Sequence, residues 1–398
     1  MPKRKRRETG MILYGKNEFS KQLLNSDENT YNLLSFAEKY GIRGNLVKAK
    51  IAWIIMNDEN PFSLSAERNK NTGSIEVLAR EDIAELRKLF FTQPDKAFEN
   101  YLPLNQNISG EEARIGKLIT DFTQRLDKAL SDEEFFVKVK NFYISQGVGA
   151  FGMNKAFYMQ DDGTLMPVSH IKETGFEELC GYESQKQKLI ANTKAFAEGK
   201  SANNVLLYGD SGTGKSTSIK AVLNMFFDKG IRMIQIQKHQ FVHLNALTEK
   251  LKKRNYRFVI YMDDLSFEDF EVEYKYLKAA IEGGLEEKPE NVLIYATSNR
   301  RHLIKETFGE REGDDIHRNE SVQEKISLSD RFGLQIYFPK PEQQQYFEIA
   351  KHLAAIEGLN IDEETLIAMA RKWGMSHGGF SGRTAKQLIL NLKTKEEE

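Results

Sequence analysis

The spacing of apolar positions changes twice along the chain. From about residue 16 to 140 they recur at helical intervals in LLSFAEKYG, LVKAKIAWIIM and IAELRKLFF, separated by polar or Gly/Asn breaks. This pattern predicts a mainly helical N-terminal domain, and no catalytic constellation stands out within it. Residues 141–172 differ in character. NFYISQGVGAFGMNKAFYMQDDGTLMPV brings aromatics, glycines and a DDG turn, which predict short strands in a connecting segment. From residue 173, short β-rich runs alternate with helical ones. The predicted strands are NVLLY (204–208), IRMIQI (231–236), FVIYMDD (258–264), NVLIYATS (291–298) and LQIYF (334–338). Joined by helices, they argue for a parallel sheet covered on both faces, spanning 173–340. Beyond Pro339 and Pro341 only helical patterns remain, in EQQQYFEIAKHLAA, EETLIAMARKW and SGRTAKQLILNL. They predict a small helical domain over 341–398.

Composition narrows the class. A chain of 398 residues has room for two or three domains. Lys+Arg is 57 against Asp+Glu 58, a net charge of −1 that gives no global drive toward nucleic acid or anionic membrane. The basic run KRKRR at 3–7 reads as the solvated end of a disordered tail over 1–15, with nucleic-acid contact as the sharper alternative. One cysteine, Cys180, excludes an internal disulfide and a multi-cysteine metal site, and suits a reducing compartment. Runs such as IAWIIM at 51–56 are too short to span a bilayer. The apolar stretch near the N-terminus is only four residues, against roughly seven to fifteen in a secretory signal. A cytoplasmic protein without membrane association is therefore expected.

Two glycine patterns compete as nucleotide loops. GVGAFG places Gly147, Gly149 and Gly152 in a G-x-G-x-x-G match. It lacks the strand–helix context that a dinucleotide loop needs, so it reads as a packing or hinge loop. By contrast, Gly209-Asp210-Ser211-Gly212-Thr213-Gly214-Lys215-Ser216, followed by Thr217, fits the P-loop pattern and lies between a predicted strand and a predicted helix. Its glycines let backbone N–H groups point inward at phosphate oxygens, and the helix N-terminus adds its positive dipole end. Lys215 is placed to reach the β- and γ-phosphates of ATP, and Ser216 to ligate Mg²⁺.

Four further stretches extend the chemistry. FVIYMDDL ends a strand in Asp263 and Asp264, where a carboxylate faces the crevice of an open α/β sheet. Asp263 would hold the Mg²⁺ shell, and Asp264 would orient or deprotonate the attacking water. Asn299, just past the strand in ATSNR, can hydrogen-bond both the γ-phosphate and that water, though alone it would read as a turn former. Arg331 in SLSDRFG precedes a strand and suits the charge of a transferring phosphoryl group. Arg383 in SGRTAKQL lies in the first turn of a helix capped by Ser381, where the dipole disfavours a cation. That placement hints at an external anion.

This order of elements resembles the AAA+ ATPases over about residues 173–398. The resemblance implies a P-loop NTPase core with a parallel sheet flanked by helices, a C-terminal helical lid, and ATP with Mg²⁺ as ligands. It makes Lys215 and Ser216 the Walker A residues, Asp263 and Asp264 Walker B, Asn299 sensor 1, Arg331 the arginine finger and Arg383 sensor 2. LCGYESQKQKLIANT at 179–193 is similar to the segment bordering the adenine, with Gly181 and Tyr182 nearest the base. More narrowly, GYESQKQKLIANTKAF, DDLSFE and EKISLSDRFGL resemble a bacterial AAA+-type family recorded as a domain of unknown function.

One departure bears on turnover. Most AAA+ Walker B strands end in Asp-Glu, and this one ends in Asp-Asp. Three readings stay open: the water shifts, Glu268 helps, or hydrolysis is slow. The finger acts in trans in this pattern, so the resemblance implies a homo-oligomer. The expected function is ATP-driven remodelling of a macromolecule, protein or nucleic acid. The alternatives are a DNA-linked ATPase of the helicase-loader or initiator kind, a nucleotide-dependent switch with little turnover and, last, a small-molecule P-loop kinase. The charged segment 300–325 reads as a mobile or partner-binding loop.

Overall fold

A helix apolar around nearly its whole circumference organises the N-terminal half. The computed structural model describes residues 11–14, 27–69, 72–92, 96–105, 107–169, 171, 174–267, 272–282, 289–301, 303 and 328–396. The basic run at 3–7, Glu268 and nearly all of 300–325 lie outside these residues. The described residues form two units. One runs to Asn154 and includes Pro167–Ile171, and the other comprises Lys155–Met166 and the residues from 174 onward.

The first unit is helical: α1 (Asp27–Tyr40), α2 (Leu46–Asn57), α3 (Pro61–Glu67), α4 (Ile75–Phe90), α5 (Lys96–Glu99), α6 (Gly110–Asp127), α7 (Asp132–Gln146) and α8 (Gly149–Met153). In α2, Leu46, Val47, Ile51, Ile54, Ile55 and Met56 are all buried, as a helix apolar on every side must be in water. Its neighbour α3 starts at a capping box, in which Asn60 and Ser63 exchange side-chain-to-backbone hydrogen bonds before Pro61 opens the helix. The core gathers Phe62, Phe90, Phe122 and Phe135 around these helices. The buried Asp82 carboxylate accepts the backbone N–H groups of Ile12, Leu13 and Tyr14, which pins the segment 11–14 onto the unit.

The expected strands over 141–168 are only partly present. Residues 141–146 continue α7, whose Phe135, Phe136, Val139, Phe142 and Tyr143 are buried at helical spacing. Aromatic content suggested β-structure there, but burial follows the helical period. Gly147, at φ 81°, ends α7, and Gly149 and Gly152 fall in the short α8.

In the second unit a seven-stranded sheet has the order β2-β1-β4-β5-β6-β3-β7. The strands are β1 (Ala156–Met159), β2 (Leu165–Pro167), β3 (Val205–Gly209), β4 (Ile231–Gln235), β5 (Arg257–Met262), β6 (Val292–Ser298) and β7 (Leu334–Phe338). From β1 through β4, β5, β6, β3 and β7 every neighbouring pair is parallel. The β1–β2 connection is tight, closed by Gln160 N–H to the Thr164 carbonyl at 2.8 Å. All of β6, and β5 apart from Arg257, are buried, the signature of strands covered on both faces. The helices joining or flanking the strands are α9 (Glu183–Ala197), α10 (Lys215–Phe226), α11 (Leu244–Leu251) and α12 (Glu273–Glu282). The chain ends in α13 (Gln343–Glu357), α14 (Glu363–Ser376) and α15 (Gly382–Glu396). These last three close on their own core of Tyr346, Ala350, Ala370, Ala385 and Leu388. No helix among the described residues is long and apolar enough to cross a membrane.

Candidate functional site

The P-loop turns sharply where β3 ends. Gly209 has φ 132°, and a Cβ there would lie 2.1 Å from the Phe338 carbonyl oxygen on β7. Gly214, the residue before α10, has φ 93°. Both positions therefore demand glycine, for backbone conformation and, at Gly209, for close approach. Thr213 Oγ1 donates to the Asp210 carbonyl at 2.8 Å and holds the loop closed from within.

Lys215 is buried and its ammonium is threefold anchored. Nζ donates to the carbonyls of Gly209 and Asp210, each at 2.7 Å, and to Asn299 Oδ1 at 3.1 Å. Burial pushes its pKa below the ordinary lysine value, opposed by the charges of Asp210, Asp264 and Asp263. Next to it, Ser216 Oγ donates to Asp263 Oδ1 at 2.7 Å.

The acids at the end of β5 meet the end of β6. Thr297 Oγ1 donates to Asp263 Oδ1 at 2.6 Å, and Asn299 Nδ2 donates to Asp264 Oδ1 at 2.6 Å. Desolvation pulls the Asp263 pKa upward, but hydrogen bonding from Thr297 and Ser216 and the charge of Lys220 outweigh it. Its carboxyl is held below the ordinary value. An ionised carboxylate beside a serine hydroxyl is a hard oxygen donor set, which fits Mg²⁺. Among the described residues no group of three or more His, Cys, Asp or Glu side chains could hold a metal by itself.

The helical lid closes the other side. A Cβ on Gly212 would lie 3.0 Å from Ser381 Oγ and 3.1 Å from Arg383 Cβ, so the start of α15 rests on the P-loop tip. The Thr384 N–H donates to Ser381 Oγ at 3.2 Å and the Ser381 N–H to Thr384 Oγ1 at 3.0 Å, a reciprocal cap. Loop and lid enclose a cleft of about 670 Å³. Ser211–Thr217, Asp263, Asp264, Asn299 and Arg383 all line it. Leu179, Cys180, Tyr182, Ile349 and Leu353 form an apolar wall at the same cleft. Tyr182 is anchored by its hydroxyl to the Pro339 carbonyl at 2.9 Å, and its ring packs on Phe338 at 5.2 Å. Burial pushes its pKa up to about 12. Gly181 beside it has φ 77°. Gly209 and Asp210 line an adjoining depression with Tyr208, Asn299, Arg301 and Tyr337.

Arg331 is the expected site residue that the fold keeps away. It precedes β7, where Leu334 is level with Val205 and Phe338 with Gly209. It therefore lies at the end of the sheet opposite the P-loop. The five-residue strand alone separates them by about 16 Å at 3.3 Å per residue. Arg331 instead forms an ion pair with Glu282, the last residue of α12.

Sequence reasoning missed Thr297, Lys220 and Lys386, all three of which line the cleft. For Thr297 a signal existed: two residues before Asn299, it shares that residue's face of the strand.

Residues 152–396 match the family described as "Protein of unknown function (DUF815)". The chain belongs to the DUF815 family. The matched residues run from just before β1 to the last turn of α15, and so contain the sheet, the P-loop and the lid of the second unit. The second unit is a parallel α/β sheet flanked by helices, with a glycine-rich loop between β3 and α10 and three C-terminal helices. Among solved structures, the Holliday junction branch migration motor RuvB of Thermotoga maritima is similar at 18% identity. The likeness covers 56% of this chain and 65% of that one, with a TM-score of 0.40. The AAA domain of FIGL-1 in complex with ADP is similar at 19% identity, over 55% of this chain and 72% of that one, with a TM-score of 0.38. The chain thus spans less than two thirds of the RuvB chain. No curated protein is significantly similar.

Proposed function

We propose that the cleft binds MgATP and hydrolyses it, with the chain assembled as a homo-oligomer. The observation that carries this reading is convergence. Lys215, Ser216, Asp263, Asp264, Asn299 and Arg383 come from four separate segments and line one cleft beneath a helical lid. Backbone N–H groups of the P-loop would cradle the phosphates, with Lys215 and Arg383 countering their charge. Ser216 and Asp263 would hold Mg²⁺, largely through water, and the ion would neutralise charge building on the phosphate oxygens. Asp264 and Asn299, already hydrogen-bonded to each other, would orient the attacking water. The apolar wall with Gly181 and Tyr182 would take the base.

The placement of Arg331 supports assembly. A guanidinium on the far side of the sheet serves a phosphate only if that phosphate belongs to another copy. Hydrolysis would then be coupled across subunits to remodelling of a protein or nucleic acid. The testing experiment is phosphate release from ATP by the wild type and by Asp264→Asn, with ATP affinity measured in parallel. The variant is expected to bind ATP and turn over poorly. Wild-type turnover in Asp264→Asn would move the base elsewhere, and no release by the wild type would overturn the ATPase reading. Held in ATP, Asp264→Asn should also retain the engaged partner for identification by pull-down.

A further inference from the structure

Asp264 has a left-handed backbone, φ 52°, one of three non-glycine residues with positive φ among the described residues. Aspartate and asparagine tolerate this region better than other side chains, because a short polar group can bond locally. What holds the turn is Thr297. Its Oγ1 accepts the Asp264 N–H at 2.9 Å while donating to Asp263 Oδ1 at 2.6 Å. Its own carbonyl accepts the Leu265 N–H at 2.7 Å. Thr297 is 2% exposed, so little solvent competes for the hydroxyl. A single buried hydroxyl thereby ties both acids at the end of β5 to the end of β6. With the backbone so turned, the short Asp264 side chain meets the Asn299 amide at 2.6 Å.

We propose that Thr297 is a positioning residue for hydrolysis, setting Asp264 in the left-handed turn from which its short carboxylate faces the cleft. The inference rests on the ATPase reading above and extends it to a residue that acts through the two acids it holds. Aspartate at 264 is then matched to its backbone. A glutamate there would add one methylene to a side chain already in place, and would sit less well in the left-handed region.

The test compares Thr297→Val, which keeps shape and removes the hydroxyl, with Thr297→Ser, which keeps it, in the full-length chain. Two readouts are taken: kcat and KM for ATP, and hydrogen–deuterium exchange of the segment 262–267 without nucleotide. Thr297→Val should lose kcat by about 10- to 100-fold, the usual effect of removing a group that orients a site residue. Its KM should change little, and its exchange at Asp264 should be faster. Thr297→Ser should recover most of kcat and the slow exchange. Asp264→Glu should turn over more slowly than wild type. A Thr297→Val protein with wild-type kcat overturns the proposal, as does unchanged exchange or a loss confined to KM. If Thr297→Val does not fold, Thr297→Ala against Thr297→Ser decides the same contrast. If the wild type releases no phosphate, the ATPase reading and the catalytic part of this proposal fail together. The exchange readout then decides separately whether Thr297 holds the turn.

Discussion

At the residue scale, the site is a chain of short polar contacts in which each group has one to three definite partners. Lys215 bridges the P-loop carbonyls and Asn299, so its removal takes away both a charge and a loop anchor. Lys215→Ala should weaken ATP binding by on the order of 100-fold, the loss of about 3 kcal/mol of charge-assisted hydrogen bonding. Calorimetric titration with ATP checks this, and unchanged affinity would sink the P-loop assignment. Asp263 carries a pH signature. Its pKa lies below the ordinary 3.8 in the folded chain, so its stabilising contribution is complete above that value. It is lost as pH falls through the depressed pKa. Asp263→Asn should therefore flatten the acid limb of the melting temperature against pH below about pH 4, and leave the neutral limb parallel to wild type.

At the element scale, the lid helix α15 and the P-loop depend on each other's backbone. The reciprocal cap of Ser381 and Thr384 fixes where α15 starts, and that start rests on Gly212. Ser381→Ala should cost about 1 kcal/mol of stability. It should also lower ATP affinity, because Gly382 and Arg383 line the cleft. Thermal melting with and without ATP separates the two effects. Much of this scale was legible beforehand. Five of the six strands of the parallel core, the three C-terminal helices and the Ser381 cap were all readable, because they follow from period and from the chemistry of helix ends. Residues 141–146 were not, since an aromatic-rich run suits either a strand or a buried helix until its packing partners are known.

At the scale of the whole molecule, the informative residue is the one that does not join the cleft. Arg331 pairs with Glu282 at the far side of the sheet. Arg331→Ala should bind ATP normally yet lose most hydrolysis, by about 10³-fold or more if it acts as a finger. Mixing it with Lys215→Ala should restore part of the activity, because one copy then supplies the arginine and the other the phosphate site. Failure of the mixture to recover any activity would count against action between copies. Light scattering with and without ATP measures the assembly directly. The sequence by itself determined the glycine-rich turn before Lys215, the strand that ends in the acids 263 and 264 and the three C-terminal helices, since each is a local pattern of residue types on a strand or helix with its own period. Only the tertiary structure decided that Thr297 joins the two acids, that Asp264 takes a left-handed turn, and that Arg331 faces away from its own cleft. Those facts depend on which strands lie side by side and in what register, and hydrogen bonds between residues 33 and 34 positions apart leave no periodic trace in the chain.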